Sequence, residues 1–478
     1  MKLKLLFFIL SIFIGSEISA QQDQFYATTD AENAKALKNI FPDEVQIIAV
    51  ENQHAAVYLT KEAAHHLHKN VITHGPGYVY KPSKEDALKS IQKNNRSNKI
   101  LNFTINQDAA VNDAINQVNA ENIKNHIQIL ENYGTRRHNT ASATQSVNDL
   151  KAKWENLIWA TGRTDISVRL VSHVGTPMKS VVLTINGTNS NDYIIVGAHM
   201  DSIASNNQPS APGADDDASG IATITEIIRV LLNKNFKPQN TVEFMAFAAE
   251  EIGLVGSSEI ASNYASTGKN VLSYVQFDMT NFKGSVKDIY FTTDSYNSNN
   301  LNLFLMELIA HYNTTGSHIF NYGTTICNYG CSDHFSWAQK GFDAAFPFEA
   351  SFSNSNPYIH GPNDKLVNMG NNADHAAKFA KLGLEFIIET AKSTTLSASE
   401  INKSEVEIYI DQKILKFRSG KNGFKSIMIV DATGRKLVDK HNLLSVGQVD
   451  LSGLSKGFYL AVFQNNEGKV FTKKFILE

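Results

Sequence analysis

The chain has 478 residues, 42% of them hydrophobic, and a formal net charge of −3. That content is ordinary for globular proteins and excludes wholesale disorder, and no basic face or stripe marks a nucleic-acid binder. At roughly 100–200 residues per domain, the length allows about two to four domains.

Lys2 and Lys4 precede an apolar run from Leu5 to Ile14, and Ser19-Ala20 close the segment with small residues. This pattern predicts a secretory signal peptide over residues 1–20. The run is far short of the ~20 apolar residues of a membrane span. The mature chain is expected outside the cytoplasm, with no transmembrane segment and no nucleic-acid partner.

Residues 21–102 read as a small α+β unit. Strands are expected over Phe41–Val50 and His54–Leu59, and a helix over Lys61–His68. A Lys-, Ser- and Asn-rich stretch from Tyr80 to Asn98 reads as a linker. The position of this unit, between a signal and a larger domain, suggests a propeptide; a permanent accessory domain is the alternative. The His65-His66-x-His68 cluster has no carboxylates at ligand spacing and reads as a polar helix face.

From residue 103 to 395, helix and strand patterns alternate. This predicts an α/β domain with a mainly parallel central sheet and helices on both faces. Helices are expected over Asn119–Tyr133, Ala143–Ala160, Ser219–Leu232, Leu301–Tyr312 and Ala376–Thr390. Strands are expected over Val181–Ile185, Ile194–Ala198, Val242–Ala249 and Val271–Phe277. The two cysteines, Cys327 and Cys331, favour a disulfide in an exported protein. A zinc site with His334 is the alternative, although it lacks a fourth ligand. Residues 396–478 change style to short strands separated by turns, which predicts a small β-sandwich.

The chemistry gathers where the central strands end. Ile194-Ile195-Val196 runs into Gly197-Ala198-His199-Met200-Asp201, Val242–Ala249 ends at Glu250-Glu251, and Val271–Phe277 ends at Asp278. Ligands of open α/β sheets bind outside the carboxyl ends of the strands. An Asp-rich loop, Ala214-Asp215-Asp216-Asp217, opens the helix at Ser219 beside them. Acids after strands often cap helices or sit solvated, but buried carboxylates without partners are costly, so cations are expected. Two zinc ions carry four positive charges, which three carboxylates and one hydroxide balance. His199, Asp278 and Glu251 are ligand candidates and Asp216 is the natural bridge, leaving a second histidine to be found. Such a site polarises a carbonyl and lowers the pKa of water to ~7, and Glu250 is the adjacent carboxylate able to take the proton.

These motifs, with Asn356-Pro357-Tyr358-Ile359-His360, resemble those of the secreted bacterial leucyl aminopeptidases, two-zinc exopeptidases of α/β fold. The resemblance spans about residues 103–391. It implies two zinc ions per chain, with His199 and Asp278 on one, Glu251 and His360 on the other, and Asp216 bridging through a cis bond to Asp217. It further implies Glu250 as general base, Asp201 as the partner of His199, and Tyr329 as an oxyanion donor in a loop closed by a Cys327–Cys331 disulfide. Met279, Phe346, Phe348, Phe352 and Ile359 would form a pocket for leucine and other bulky apolar first residues. Ser355 stands where some members carry an aromatic residue. The substrates implied are peptides and proteins with free N-termini. Residues from about 402 onward resemble the sorting domain of the type IX secretion system, through Asp431-Ala432-Thr433-Gly434-Arg435, Leu451–Tyr459 and Lys473-Lys474-Phe475-Ile476. That implies export through the secretion machinery. Competing readings are a single-zinc glutaminyl cyclase on the same fold, a carboxypeptidase and a non-catalytic binding protein.

Overall fold

The computed structural model describes residues 24–51, 53–70, 76–92, 103–204, 209–327, 329–392, 406–411, 413–419, 424–431, 435–441, 443–444, 446–465 and 470–477. The expected signal segment lies outside the described residues.

The N-terminal unit is a four-stranded antiparallel sheet, with Gln24–Asp30 and His54–Thr60 at its centre and Val45–Glu51 and Val79–Lys81 outside. Its helices Ala31–Ile40 and Lys61–Asn70 bury Ala34, Leu37, Ala63 and Leu67 against that sheet. The stretch expected as a linker from Tyr80 is corrected here. Val79–Lys81 joins the sheet, and Lys84–Ile91 is a helix capped by Ser83, whose Oγ accepts the Asp86 amide at 3.1 Å. Polar composition masked a short amphipathic helix that buries only Ala87 and Ile91.

The central sheet has six strands in the spatial order Ala344–Ala345, Asn270–Gln276, Asn189–His199, Asn240–Phe247, Ser180–Ile185 and Ile166–Val171. The first four run parallel, and the last two add an antiparallel edge. Side chains of a strand alternate between faces. In Asn240–Phe247, Val242, Phe244 and Ala246 join one apolar cluster, while Met245 and Phe247 join another. The first face is covered by Ala218–Asn233, Asp374–Ala391 and Ala141–Trp159. The second is covered by Val255–Ser266, through Ile260 and Tyr264, and by the short helix His334–Ala338, through Trp337. With helices on both sides, the central strands are buried on both faces, hence their nearly continuous apolar sequence.

The C-terminal residues form two antiparallel sheets, of three strands (Val406–Asp411, Ile414–Ser419, Val446–Asp450) and four (Phe424–Asp431, Lys436–His441, Gly457–Asn465, Val470–Leu477). Leu415, Phe417 and Val449 of one sheet share a core with Ile427, Ile429, Phe463 and Phe475 of the other, the arrangement of a sandwich.

Candidate metal centre

Parallel strands end on the same side of a sheet, so His199, Glu250-Glu251 and Asp278 arrive together at the carboxyl edge. The loop before the Ala218–Asn233 helix brings Asp216, and the loop after Phe352–Asn354 brings His360. The result is two ligand groups, His199–Asp216–Asp278 and Asp216–Glu251–His360, each with donor atoms within 4.8 Å of one another and sharing Asp216. His199 Nε2 lies 2.9 Å from Asp216 Oδ1 and 3.5 Å from Asp278 Oδ1. His360 Nε2 lies 3.0 Å from Asp216 Oδ2 and 3.1 Å from Glu251 Oε2. The Asp216–Asp217 peptide is cis.

Three residues around the site carry backbone strain. Ala249, Met279 and His360 all have left-handed φ, at 56°, 55° and 53°. Such conformations in non-glycine residues persist only where the surroundings over-determine them, and they cluster at functional sites.

The electrostatics describe a knot of charges. Burial raises Glu250 well above the ordinary carboxylate range; His199 opposes this, and Glu251, Asp333 and Asp278 add to it. Glu251 is pushed up to about 7, chiefly by burial. Burial also raises Asp216, but hydrogen bonds and charge from His199 and His360 outweigh it and hold that carboxyl well below its ordinary value. Burial lowers both imidazoles, yet the surrounding carboxylates hold each well above its ordinary value. Each imidazole nitrogen that faces these carboxylates belongs to one ligand group, His199 to the first and His360 to the second. Among the described residues, no lysine or arginine pairs with any of the five. Glu250 Oε1 and Glu251 Oε1 are buried and have no hydrogen-bond partner among the described residues. A mixed set of imidazole nitrogens and carboxylate oxygens, with orphaned anionic oxygens, fits zinc.

Asp201 faces His199 Nδ1 at 3.6 Å, beyond hydrogen-bond length. Its oxygens instead accept the backbone amides of Glu250 at 2.9 Å and Glu251 at 3.2 Å, which fixes the turn that carries both acids. Cys327 and Cys331 are disulfide-bonded. Tyr329, inside that loop, is buried in one cluster with Met279, Phe346 and Phe348, and Phe352 and Ile359 pack against it. All five residues expected to line the pocket are therefore brought together, and Met279 is next in sequence to Asp278.

Other residues serve the site without having been singled out from the sequence. Asp217 accepts the amides of His199, Gly220 and Met279, tying two strand ends to the helix start. Its place just before a helix is an N-cap signal. Asp364 accepts the amides of Asp215 and Asp216, both at 3.1 Å, from far along the chain, and no local pattern announces it. Ser332 donates to Asp278 Oδ2 at 2.5 Å.

Comparison with known proteins agrees with this geometry. Residues 180–385 match the model of peptidase family M28, and residues 402–478 match that of the secretion system C-terminal sorting domain. Leucine aminopeptidase 1 of Paracoccidioides brasiliensis (strain Pb03) is 32% identical over 311 residues, 61% of this chain and 76% of the relative. Among solved structures, LapB from Legionella pneumophila has a TM-score of 0.67 at 26% identity, covering 78% of this chain and 100% of its own. The LapA aminopeptidase of Legionella pneumophila has a TM-score of 0.66 at 28% identity, covering 77% and 98%.

Proposed function

The chain belongs to peptidase family M28 and is a metallo-aminopeptidase, and on that premise we propose that it holds two zinc ions and removes leucine and other bulky apolar residues from the free N-termini of peptides and proteins. The observation that carries this is the pair of three-residue groups sharing Asp216. His199 and Asp278 would hold one ion, Glu251 and His360 the other, and Asp216 both. Zinc, when bound, supplies Lewis acidity toward the scissile carbonyl and a water of pKa near ~7.

The chain's own residues do the rest. Glu250, adjacent to ligand Glu251 and with Oε1 unpartnered, takes the proton of the attacking water and delivers it to the leaving amine. Asp201 holds Glu250 and Glu251 in place through their amides. Tyr329 donates to the developing oxyanion. Met279, Phe346, Phe348, Phe352 and Ile359 receive the first side chain.

Residues 21–102 act as a propeptide in this reading. Their Tyr78–Lys81 segment lies against the turn that follows Glu250. The Tyr80 amide donates to the Gly253 carbonyl at 2.9 Å, and Val79 shares an apolar cluster with Leu254 and Phe335. The C-terminal sorting domain accounts for export, with secretion machinery as its partner. No helix among the described residues is long and apolar enough to cross a membrane.

The test is zinc content together with hydrolysis of leucyl, alanyl and lysyl substrates, each unblocked and N-acetylated. Two zinc ions per chain and cleavage of unblocked substrates alone, leucyl fastest, is the expected result. Hydrolysis that survives N-acetylation overturns the exopeptidase reading. One zinc with cyclisation of N-terminal glutamine would favour the cyclase instead.

A further inference from the structure

Arg136 is fully buried, yet among the described residues its guanidinium hydrogen-bonds only backbone carbonyls. Nε donates to Met200 O at 2.9 Å, Nη1 to Leu130 O at 3.1 Å and Pro212 O at 2.6 Å, and Nη2 to Gly213 O at 2.9 Å. Its own amide donates to Ser202 Oγ at 3.0 Å, and that hydroxyl donates to Ala211 O at 2.6 Å. The Ala211 amide in turn donates to Gly134 O at 2.8 Å. One short segment, residues 134–136, thus laces together the two ends of the connection between the strand that ends at His199 and the helix that begins at Ala218, beside their own bond from Ser202 Oγ to Ala211 O. The first is the continuation of the strand that ends at His199. The second leads into Asp216. Gly213 has φ +54°, and a Cβ there would meet the Asp216 carbonyl at 2.3 Å, Ser202 Cβ at 2.5 Å and Arg136 Nη2 at 3.1 Å, so glycine lets this loop fold closely on itself with the guanidinium against it.

A buried cation without an ion pair costs several kcal/mol unless other charges compensate. Burial lowers the Arg136 pKa below its ordinary value, and the acids of the site, Asp217, Asp364, Asp201 and Asp216, offset part of that cost by favouring its charged form. The planar fork of a guanidinium has five fixed donors, whereas an ammonium is a single point. Only the fork spans Met200 and Pro212-Gly213 at once.

We infer that Arg136 is a positioning residue that sets the spacing of His199 and Asp216, and through it the affinity of the site for metal. This rests on the two-zinc reading above, because the pair it spaces is the ligand pair of the first group. It touches neither the apolar cluster around Met279 nor Tyr329, so substrate affinity should be spared.

The test titrates zinc into full-length wild type, Arg136→Met and Arg136→Lys in competition with a chromophoric chelator, with circular dichroism verifying the fold. In folded Arg136→Met, at least one zinc-binding step should weaken by ~10–100-fold, the range for residues that orient metal ligands, while KM for a leucyl substrate stays at the wild-type value. Arg136→Lys keeps charge and bulk but not the fork, and should show a smaller loss in the same direction. Zinc affinity in folded Arg136→Met equal to that of wild type overturns the inference and leaves the two-zinc reading standing. If Arg136→Met does not fold, Arg136→Lys decides by the same criterion. A wild-type protein that binds no zinc overturns the two-zinc reading and this inference with it.

Discussion

Replacing Glu250 by Gln isolates its role more cleanly than any truncation. The side chain is 1% exposed, and Gln keeps its volume, so packing changes little. The contact that fixes the segment, from the Glu250 amide to Asp201, uses the backbone and survives the change. Glu250 belongs to neither ligand group, so zinc content should be unaltered. What disappears is the only group next to the ligands assigned to carry a proton. A positioned general base contributes about 10²–10⁴-fold, so kcat should fall by that factor, equivalent to ~3–5 kcal/mol in the barrier. The metal-free protein should be no less stable, because the change removes a buried carboxyl that burial disfavours as an anion and whose Oε1 has no donor. The assay is kcat on saturating leucyl p-nitroanilide beside elemental analysis of the same sample. A kcat within tenfold of wild type with zinc retained would remove Glu250 from the base role. Loss of zinc would make it a ligand instead.

Three further outcomes are expected. Phe348→Ala removes a ring that packs on Phe346 and Phe352, and should lower the leucyl-over-alanyl kcat/KM ratio by ~10-fold or more; an unchanged ratio would place the specificity pocket elsewhere. Proteolytic removal of residues 21–102 takes the Tyr78–Lys81 segment off the turn after Glu250 and should raise kcat/KM, whereas equal activity of the full-length and trimmed forms would make the unit a permanent accessory domain. His126 is buried, and burial, with Lys153 and Arg136 adding, lowers its pKa to about 3. The unfolded chain then binds the extra proton below the ordinary value of 6.5, so stability from this residue is intact above pH 6.5 and drains away as pH falls toward 3. His126→Leu should flatten the urea-unfolding free energy against pH across that window by up to ~1.4 kcal/mol per unit, and an identical slope in the variant would refute the assignment.

How much of the site could be read in advance depends on how each residue acts. His199, Glu251 and Asp278 announce themselves because a charged or titratable group at the end of an apolar strand is an anomaly, and parallel strands carry such anomalies to one edge. Asp216 is visible as one of three consecutive acids before a helix. His360 is different. It sits in a loop, with left-handed backbone and no flanking strand, and nothing in its local pattern separates it from a surface histidine; only the family resemblance pointed to it. The stretch from Tyr80 failed for the opposite reason: its polar composition outweighed a Ser83 cap and two buried residues too few to register as periodicity.

The residues that assemble the centre were the least legible, and the cause is physical. Asp201, Asp217, Asp364 and Arg136 act on main-chain amides and carbonyls, which every residue possesses, so their partners leave no trace in side-chain type. Asp217 ties His199 to Met279, and Asp364 holds Asp215 and Asp216 across about 150 positions of sequence. These contacts compensate one another's cost: the acids stabilise the buried guanidinium of Arg136, and Arg136 holds the loop from which Asp216 projects. A metal ligand can be guessed from its chemistry alone, but the distance between two ligands is a property of the backbone beneath them. In this chain that distance is governed by charged side chains that belong to neither ligand group.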